Sequence, residues 1–317
     1  MIDFVKSFLI QTPILIWLCV LSFGITVECL GTNSENMHSF ESYWLKFKYM
    51  LLYLVIIFLF LEPLSEIKDK IYVLINTKSI LHQSVEKTNN IFTTCKDVLL
   101  LIIVSDFFSY WWHRSLHSYE WLWDMHAVHH SDDAMNVLTG VRAHWTAFMF
   151  ELFSTVLPAS VILGPNRDEI YALTGFITSL SLLSHSNVKL SLGKYSSLIV
   201  GPQFHRIHHS LIQHHHNKNY AAIFPIWDII FGTYYQPQKD EYPPTGVLGL
   251  NLNSIWTISL YPIYQWYHKI RIFLMEISRI LRKENGKRII WRTIFSYTPR
   301  TTFQTTLRKF FKRRLAA

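Results

Sequence analysis

The sequence predicts an all-α fold: a polytopic membrane helical bundle with a cytosolic cap that carries histidine boxes. Three observations predict it. Half of the 317 residues are apolar and only 16% are charged, against about 25% in soluble domains. Apolar runs long enough to approach or span a bilayer recur through the first 184 residues. Between two of them, "YWWHRSLHSYEWLWDMHAVHH" (110–130) puts five histidines into eighteen positions.

The elements follow in order. Residues 8–30 form the first apolar run; without a small-residue cleavage site it reads as a retained span rather than a cleaved signal. Residues 49–65 form the second. The third, 97–112, is shorter and ends in an aromatic cluster of the kind found at membrane interfaces. Runs four (145–164) and five (169–184) are separated only by the polar turn "PNRD", which predicts an antiparallel hairpin. Residues 186–250 are mixed and amphipathic, and 253–280 is aromatic-rich with Lys269 and Arg271, as expected of a cap with interfacial helices. The chain divides into 1–95 (N-terminal spans and a connecting surface segment), 96–236 (the histidine-bearing segment) and 237–317 (interfacial segment and basic tail), the middle bounds being those of the motif resemblance given below.

Charge is uneven. Residues 282–314 hold eleven Lys/Arg and one acid, so this tail's +10 exceeds the whole-chain +8. Beside apolar spans such a tail suits an anionic membrane surface. No base-reading motif accompanies it, so nucleic acid is not an expected partner. Positive-inside bias puts the tail, and the histidines before it, on the cytosolic face. Lys68, Lys70, Lys78 and Lys87 run against strict alternation, so either the first two runs are not simple spans or part of 66–95 lies on the surface. The three cysteines, Cys19, Cys29 and Cys95, show no CxxC spacing, so any metal chemistry falls to histidine and carboxylate.

The histidines have helical spacing. His113-x3-His117 stacks two imidazoles at i and i+4. His126-x2-His129-His130 and His205-x2-His208-His209 each put three on one face. Eight imidazoles are too many for one ion, and imidazole suits Fe, Zn, Cu and Ni. The set therefore predicts two metals, most readily a redox-active iron pair that uses O2, with zinc expected as a substitute after overexpression. His144 precedes run four and His185 follows run five; both are candidate additions on the same membrane face. The tract His214-His215-His216 has no helical stripe and reads as a solvated loop. Asp106 and Tyr110 lie seven and three residues before His113, on its stripe, and are candidates for hydrogen bonds to a ligand imidazole.

The motifs HxxxH, HxxHH and HxxHH, in this order between apolar runs, resemble the fatty acid hydroxylase/sterol desaturase superfamily of membrane di-iron enzymes. So do "DFFSYWWHRSLH", "HSNV" (185–188) and "FHRIHHS…NKNYAAIFPIWDIIFGTYY", which extends the likeness over roughly 95–236. The resemblance implies metal ligation by His113, His117, His126, His129, His130, His205, His208 and His209, with His185 as a further ligand. It implies supporting roles for Asn187, Asn219 and Asp228, and packing for Trp227. Two positions depart from the family pattern: Trp145 follows His144 where proline is usual, and Ala221 replaces the glycine after Asn219-Tyr220.

The implied activity is O2- and two-electron-dependent hydroxylation or desaturation of a lipid, such as a fatty acyl chain or a sterol. No haem, flavin or nicotinamide motif is present, so electrons must come from a partner. A cytochrome b5-type protein, or a ferredoxin with its reductase, is the family expectation. The alternatives are a membrane metal-binding or transport protein, which needs ligands along a path across the bilayer, and a bis-histidine haem protein, which needs isolated facing pairs.

Overall fold

The computed structural model describes residues 13–31, 40–75, 91–163 and 179–281. They form helices and irregular segments. The only β pairing among them is two isolated bridges, Ser210 with Thr245 and Val247 with Leu250. The hairpin turn expected at 165–168 and the basic 282–314 tail lie outside the described residues.

Helix α1 (Pro13–Gly31) and helix α2 (Phe40–Ile75) cover the first two runs. At 36 residues, α2 is longer than the expected 49–65 at both ends. It absorbs Lys68, which pairs with Asp69 at 3.1 Å, so the start of the 66–95 segment continues the helix. Among the described residues, two helices, Phe40–Ile75 and Trp145–Ile162, are long and apolar enough to cross a membrane. Phe58, Val73 and Leu74 of α2 are more than two-thirds exposed apolar side chains.

Helix α3 (Ile91–Ser118) contains the third run and extends through His113 and His117. One extended residue, Tyr119 (φ −111°, ψ 125°), separates it from α4 (Glu120–His130). This corner is too short to let the helices part, so the histidine faces of α3 and α4 are held against each other. A 3-10 turn, Val137–Val141, follows. It is capped by Asn136, whose side chain accepts from the Leu138 N–H while Thr139 Oγ1 accepts from the Asn136 N–H.

The fourth run is α5 (Trp145–Glu151) and α6 (Leu157–Leu163), joined without a break by the π turn Leu152–Val156. Pro158 has no N–H for the Ser154 carbonyl, a local reason for widening the ladder there. A helical turn at 179–184 leads to His185. Helix α7 (Pro202–His208) starts on the favoured Pro at its first turn and carries the last box. Helices α8 (Ile226–Ile230) and α9 (Ile255–Leu281) complete the described chain.

The core lies between α2, α4 and α9, where Tyr49, Val128, Leu252, Ile258 and Tyr261 pack together. A second cluster, Leu21, Met50, Val137, Leu138 and Leu182, ties α1 and α2 to the 3-10 turn. Helix α9 also holds α4 through polar contacts: Lys269 Nζ meets Asp124 at 2.7 Å, and Trp266 Nε1 donates to the Trp121 carbonyl at 2.9 Å. Its opposite face exposes Trp256, Ile263, Tyr267, Ile270 and Leu274 at helical spacing.

Candidate metal centre

Three helices and one turn bring nine histidines together. They fall into two groups, in each of which the ligand atoms lie within 4.8 Å of one another: His113, His117, His126, His130 and His208, and His129, His185, His205 and His209. These nine are the ones expected from sequence. The partition explains the HxxHH form. In α4, the i, i+4 pair His126/His130 serves the first group and the inner His129 the second. In α7 the assignment reverses: His205/His209 serve the second group and His208 the first. Each box spans both groups, and the His130 and His209 rings stack between them with centroids 4.2 Å apart.

The ring nitrogens converge. Nε2 of His113 lies 3.1 Å from Nε2 of His126, which lies 3.1 Å from Nε2 of His130. In the second group, His185 Nε2 sits 3.1 Å from His129 Nε2 and 2.9 Å from His205 Nε2. Backbone carbonyls set the tautomers. Nδ1–H donates to the Tyr220 carbonyl from His113 (2.7 Å), to the Lys218 carbonyl from His208 (2.8 Å), and to the Ser181 carbonyl from His185 (2.6 Å). A neutral ring that donates from Nδ1 presents a bare Nε2 lone pair. Burial lowers the basicity of His113 and His185 to about 4, and that of the other seven well below the usual value. Buried His117 Nε2 and His208 Nε2 have no hydrogen-bond partner. Bare Nε2 lone pairs on His113, His185 and His208, turned toward further imidazole nitrogens, fit a cation, and an all-imidazole donor set fits iron or zinc.

The supporting residues act one step further back than their spacing suggested. The buried Asp106 carboxylate receives the Ile223 and Phe224 N–H groups (2.9 and 3.0 Å) and Trp227 Nε1 (3.0 Å), holding the closing loop rather than an imidazole. Asp228 receives the Tyr220 and Ala221 N–H groups, both at 2.8 Å, and the Thr233 hydroxyl at 2.6 Å. Burial pushes its carboxyl above the usual range, and these three donors pull it back. Asn219 (φ 60°) and Asn217 (φ 61°) take left-handed conformations, which asparagine tolerates, where the chain reverses to aim the Lys218 and Tyr220 carbonyls at the rings. The Asn219 side chain also pins Tyr235, accepting from its N–H at 2.8 Å. Tyr110 bonds Thr233 and accepts from Arg114. Asn187 accepts from the Tyr242 hydroxyl.

His144 stands outside both groups. Its Nε2–H donates to the Ser259 carbonyl at 2.9 Å, and its Nδ1 faces the Thr146 hydroxyl at 2.7 Å, so it caps α5 and ties it to α9. Gly140 approaches the centre closely: a Cβ there would lie 2.8 Å from Leu182 Cδ2 and 3.3 Å from His185 Nδ1. We expect Gly140→Ala to tilt His185 and weaken metal retention by about tenfold, the lower end of the effect of disturbing a group behind a ligand. Chelator competition on the purified protein would measure it; unchanged retention would show that the Leu182 side chain yields without moving His185.

Two buried charge sets were missed. Glu28 of α1 accepts the Val137 and Asn187 N–H groups (2.8 and 2.6 Å) and the Tyr43 hydroxyl (2.6 Å). Lys46 of α2 meets Asp132 at 2.6 Å. Burial pushes the Asp132 carboxyl up, but Lys46 and Arg142 outweigh it and hold it below its usual range. The available signal was an acid inside the first apolar run and a base three residues before the second, where ionised side chains are expensive unless partnered.

Residues 98–233 match the fatty acid hydroxylase family. This stretch contains all nine converging histidines. It belongs to the fatty acid hydroxylase/sterol desaturase superfamily. Relatives of this superfamily segment include ornithine lipid hydroxylase OlsE of Rhizobium tropici, 30% identical over 154 residues (48% of this chain, 46% of that protein). Human alkylglycerol monooxygenase is 29% identical over 166 residues (48% and 36%), and methylsterol monooxygenase 2-2 of Arabidopsis thaliana is 32% identical over 139 (43% and 51%). The chain thus spans about half, or less, of the length of these relatives. No solved structure matches it. Glu28, Lys46 and α9 lie outside the fatty acid hydroxylase segment.

Proposed function

We propose that this chain is an integral, multi-pass membrane oxidoreductase: a non-haem di-iron lipid oxygenase. It would use O2 and two electrons to hydroxylate or desaturate a fatty acyl chain, a sterol or a related lipid. The observation that carries the reading is the split of nine neutral histidines, seven buried and two (His113 and His117) half-buried, into two adjoining groups with shared boxes. The names of the relatives, which are hydroxylases and monooxygenases of lipids, support the same class of reaction.

In this reading His113, His117, His126, His130 and His208 hold one iron, and His129, His185, His205 and His209 the other. When bound, the iron pair supplies O2 reduction and the oxidising power to break an aliphatic C–H bond. The protein's part is to hold the Nε2 lone pairs inward by keeping the Nδ1 protons of His113, His185 and His208 on backbone carbonyls, and to exclude bulk water. An apolar cavity of about 230 Å³ lies beside the centre, lined by Phe23, Val27, Leu190 and Ile199 together with Ser184 and Ser186, the neighbours of His185. It suits a lipid chain. The exposed apolar stripe of α9 suits the membrane interface, and the basic 282–314 tail is the ground for putting the histidine cap at the cytosolic face. The division 1–95, 96–236 and 237–317 follows, with spans, catalytic segment and interfacial segment in that order. Electrons would come from a cytochrome b5-type protein or a ferredoxin with its reductase.

The test is lipid analysis of cells lacking the gene against cells expressing it, with metal analysis of the purified protein. We expect one lipid class to gain an oxygen or lose two hydrogens, and iron to restore turnover where zinc has replaced it. Bound metal with no lipid changed would favour metal transport or sensing instead.

A further inference from the structure

The histidine tract after α7 is not the open loop its sequence suggested. His214 is exposed, but His215 beside it is fully buried. Nδ1 of His215 lies 2.9 Å from Ser210 Oγ, and its Nε2 lies 2.9 Å from Glu241 Oε1. The His214 ring packs edge-on against it, with centroids 4.2 Å apart. The donor atoms of His214, His215 and Glu241 all lie within 4.8 Å of one another.

We propose that these three residues form a third, outer metal site, separate from the nine-histidine centre, for a divalent transition-metal ion of the zinc class. Two imidazoles and one carboxylate are a three-ligand set that leaves a position open to water. The groups behind the ligands are also in place, as such sites need. Ser210 Oγ fixes the His215 ring. The Tyr235 hydroxyl donates to Glu241 Oε1 at 3.1 Å, and the Gln238 N–H donates to Oε2 at 2.8 Å, so the carboxylate is aimed before any ion arrives. A histidine–glutamate hydrogen bond by itself accounts for His215 and Glu241 but gives no role to a third donor beside them. Because His214 is exposed and Glu241 is 18% exposed, an ion can enter without opening the core.

The site ties the 210–216 loop to the 235–241 segment. The same loop runs on to Lys218, whose carbonyl holds His208. Occupancy therefore stiffens the backbone behind one ligand of the inner centre, and the outer ion is held more weakly than the inner ones because it faces water and has fewer protein donors.

The experiment uses the full chain in detergent, saturated with Zn2+ and then exposed to a graded series of chelator concentrations, with zinc counted per chain. The parent is expected to release one equivalent well before the rest. Glu241→Gln keeps a hydrogen-bonding side chain of the same shape, and His214→Ala changes an exposed ring, so both should fold. Each is expected to lack that early equivalent while keeping the tightly held ones, and each should lose the same component of the Co2+ visible spectrum. Equal zinc release in parent and both variants would overturn the site. So would loss of the early equivalent in Glu241→Gln alone, because His214 would then not be a ligand. Neither readout requires lipid oxidation, so the outcome is independent of the proposed reaction.

Discussion

Replacing His129 with alanine is expected to abolish lipid oxidation and to remove about one metal ion per chain. His129 is the only donor that α4 gives to the four-histidine group; its companions there, His185, His205 and His209, come from other elements. Its loss leaves three imidazoles around a buried space where water cannot readily supply the fourth. Disturbing a group behind a ligand already lowers affinity or activity by about 10–100-fold, so deleting a ligand should exceed ~100-fold. The five-histidine group contains no atom of His129 and should keep its ion. The matched control is His144→Ala, which removes a helix cap outside both groups. It should keep its metal and lose about 1 kcal/mol of stability. Full metal content and wild-type product from His129→Ala would break the assignment of the second group.

This contrast also marks how much could be read in advance. Eight of the nine converging histidines were legible because imidazole is a rare ligand type with a short helical period, and i, i+3, i+4 spacing shows through any fold; the ninth, His185, lies in no box and was implied by the HSNV likeness and its place after run five. The division between the two groups was not. It depends on how α4 and α7 face each other, which is fixed by the Tyr119 corner and by chain returning from 179–184, and neither leaves a pattern in the boxes. The roles of Asp106 and Asp228 were half legible. An acid in an apolar run must be partnered, but the partners are backbone N–H groups, and main-chain atoms carry no sequence signature. His144 stayed open for the opposite reason. A histidine just before a span reads the same whether it binds a metal or caps a helix, and only its bonds to Thr146 and Ser259 decide.

Asp228→Ala is expected to damage stability and metal binding together, and the two effects can be separated. The Asp228 carboxylate is completely buried and is the acceptor for the Tyr220 and Ala221 N–H groups and the Thr233 hydroxyl. Alanine leaves two buried N–H groups unpaired at about 1–3 kcal/mol each, so a loss of roughly 2–6 kcal/mol should appear as a lower melting temperature in detergent. The second effect runs through the Tyr220–Ala221 peptide. Its N–H, on Ala221, is held by Asp228 at 2.8 Å while its carbonyl, on Tyr220, receives the His113 Nδ1 proton at 2.7 Å. Once the peptide is free to turn, His113 loses its preferred tautomer, and metal affinity should fall by about 10–100-fold even well below the melting point. Asp228→Asn separates the effects. It keeps one acceptor oxygen but sets an NH2 group against an N–H, so it should fall between parent and alanine in both measurements. A variant that melts lower yet binds metal as the parent does would limit Asp228 to holding the loop together. Weakened binding at a temperature where the fold is intact makes it a positioning residue for His113, acting through a single peptide group.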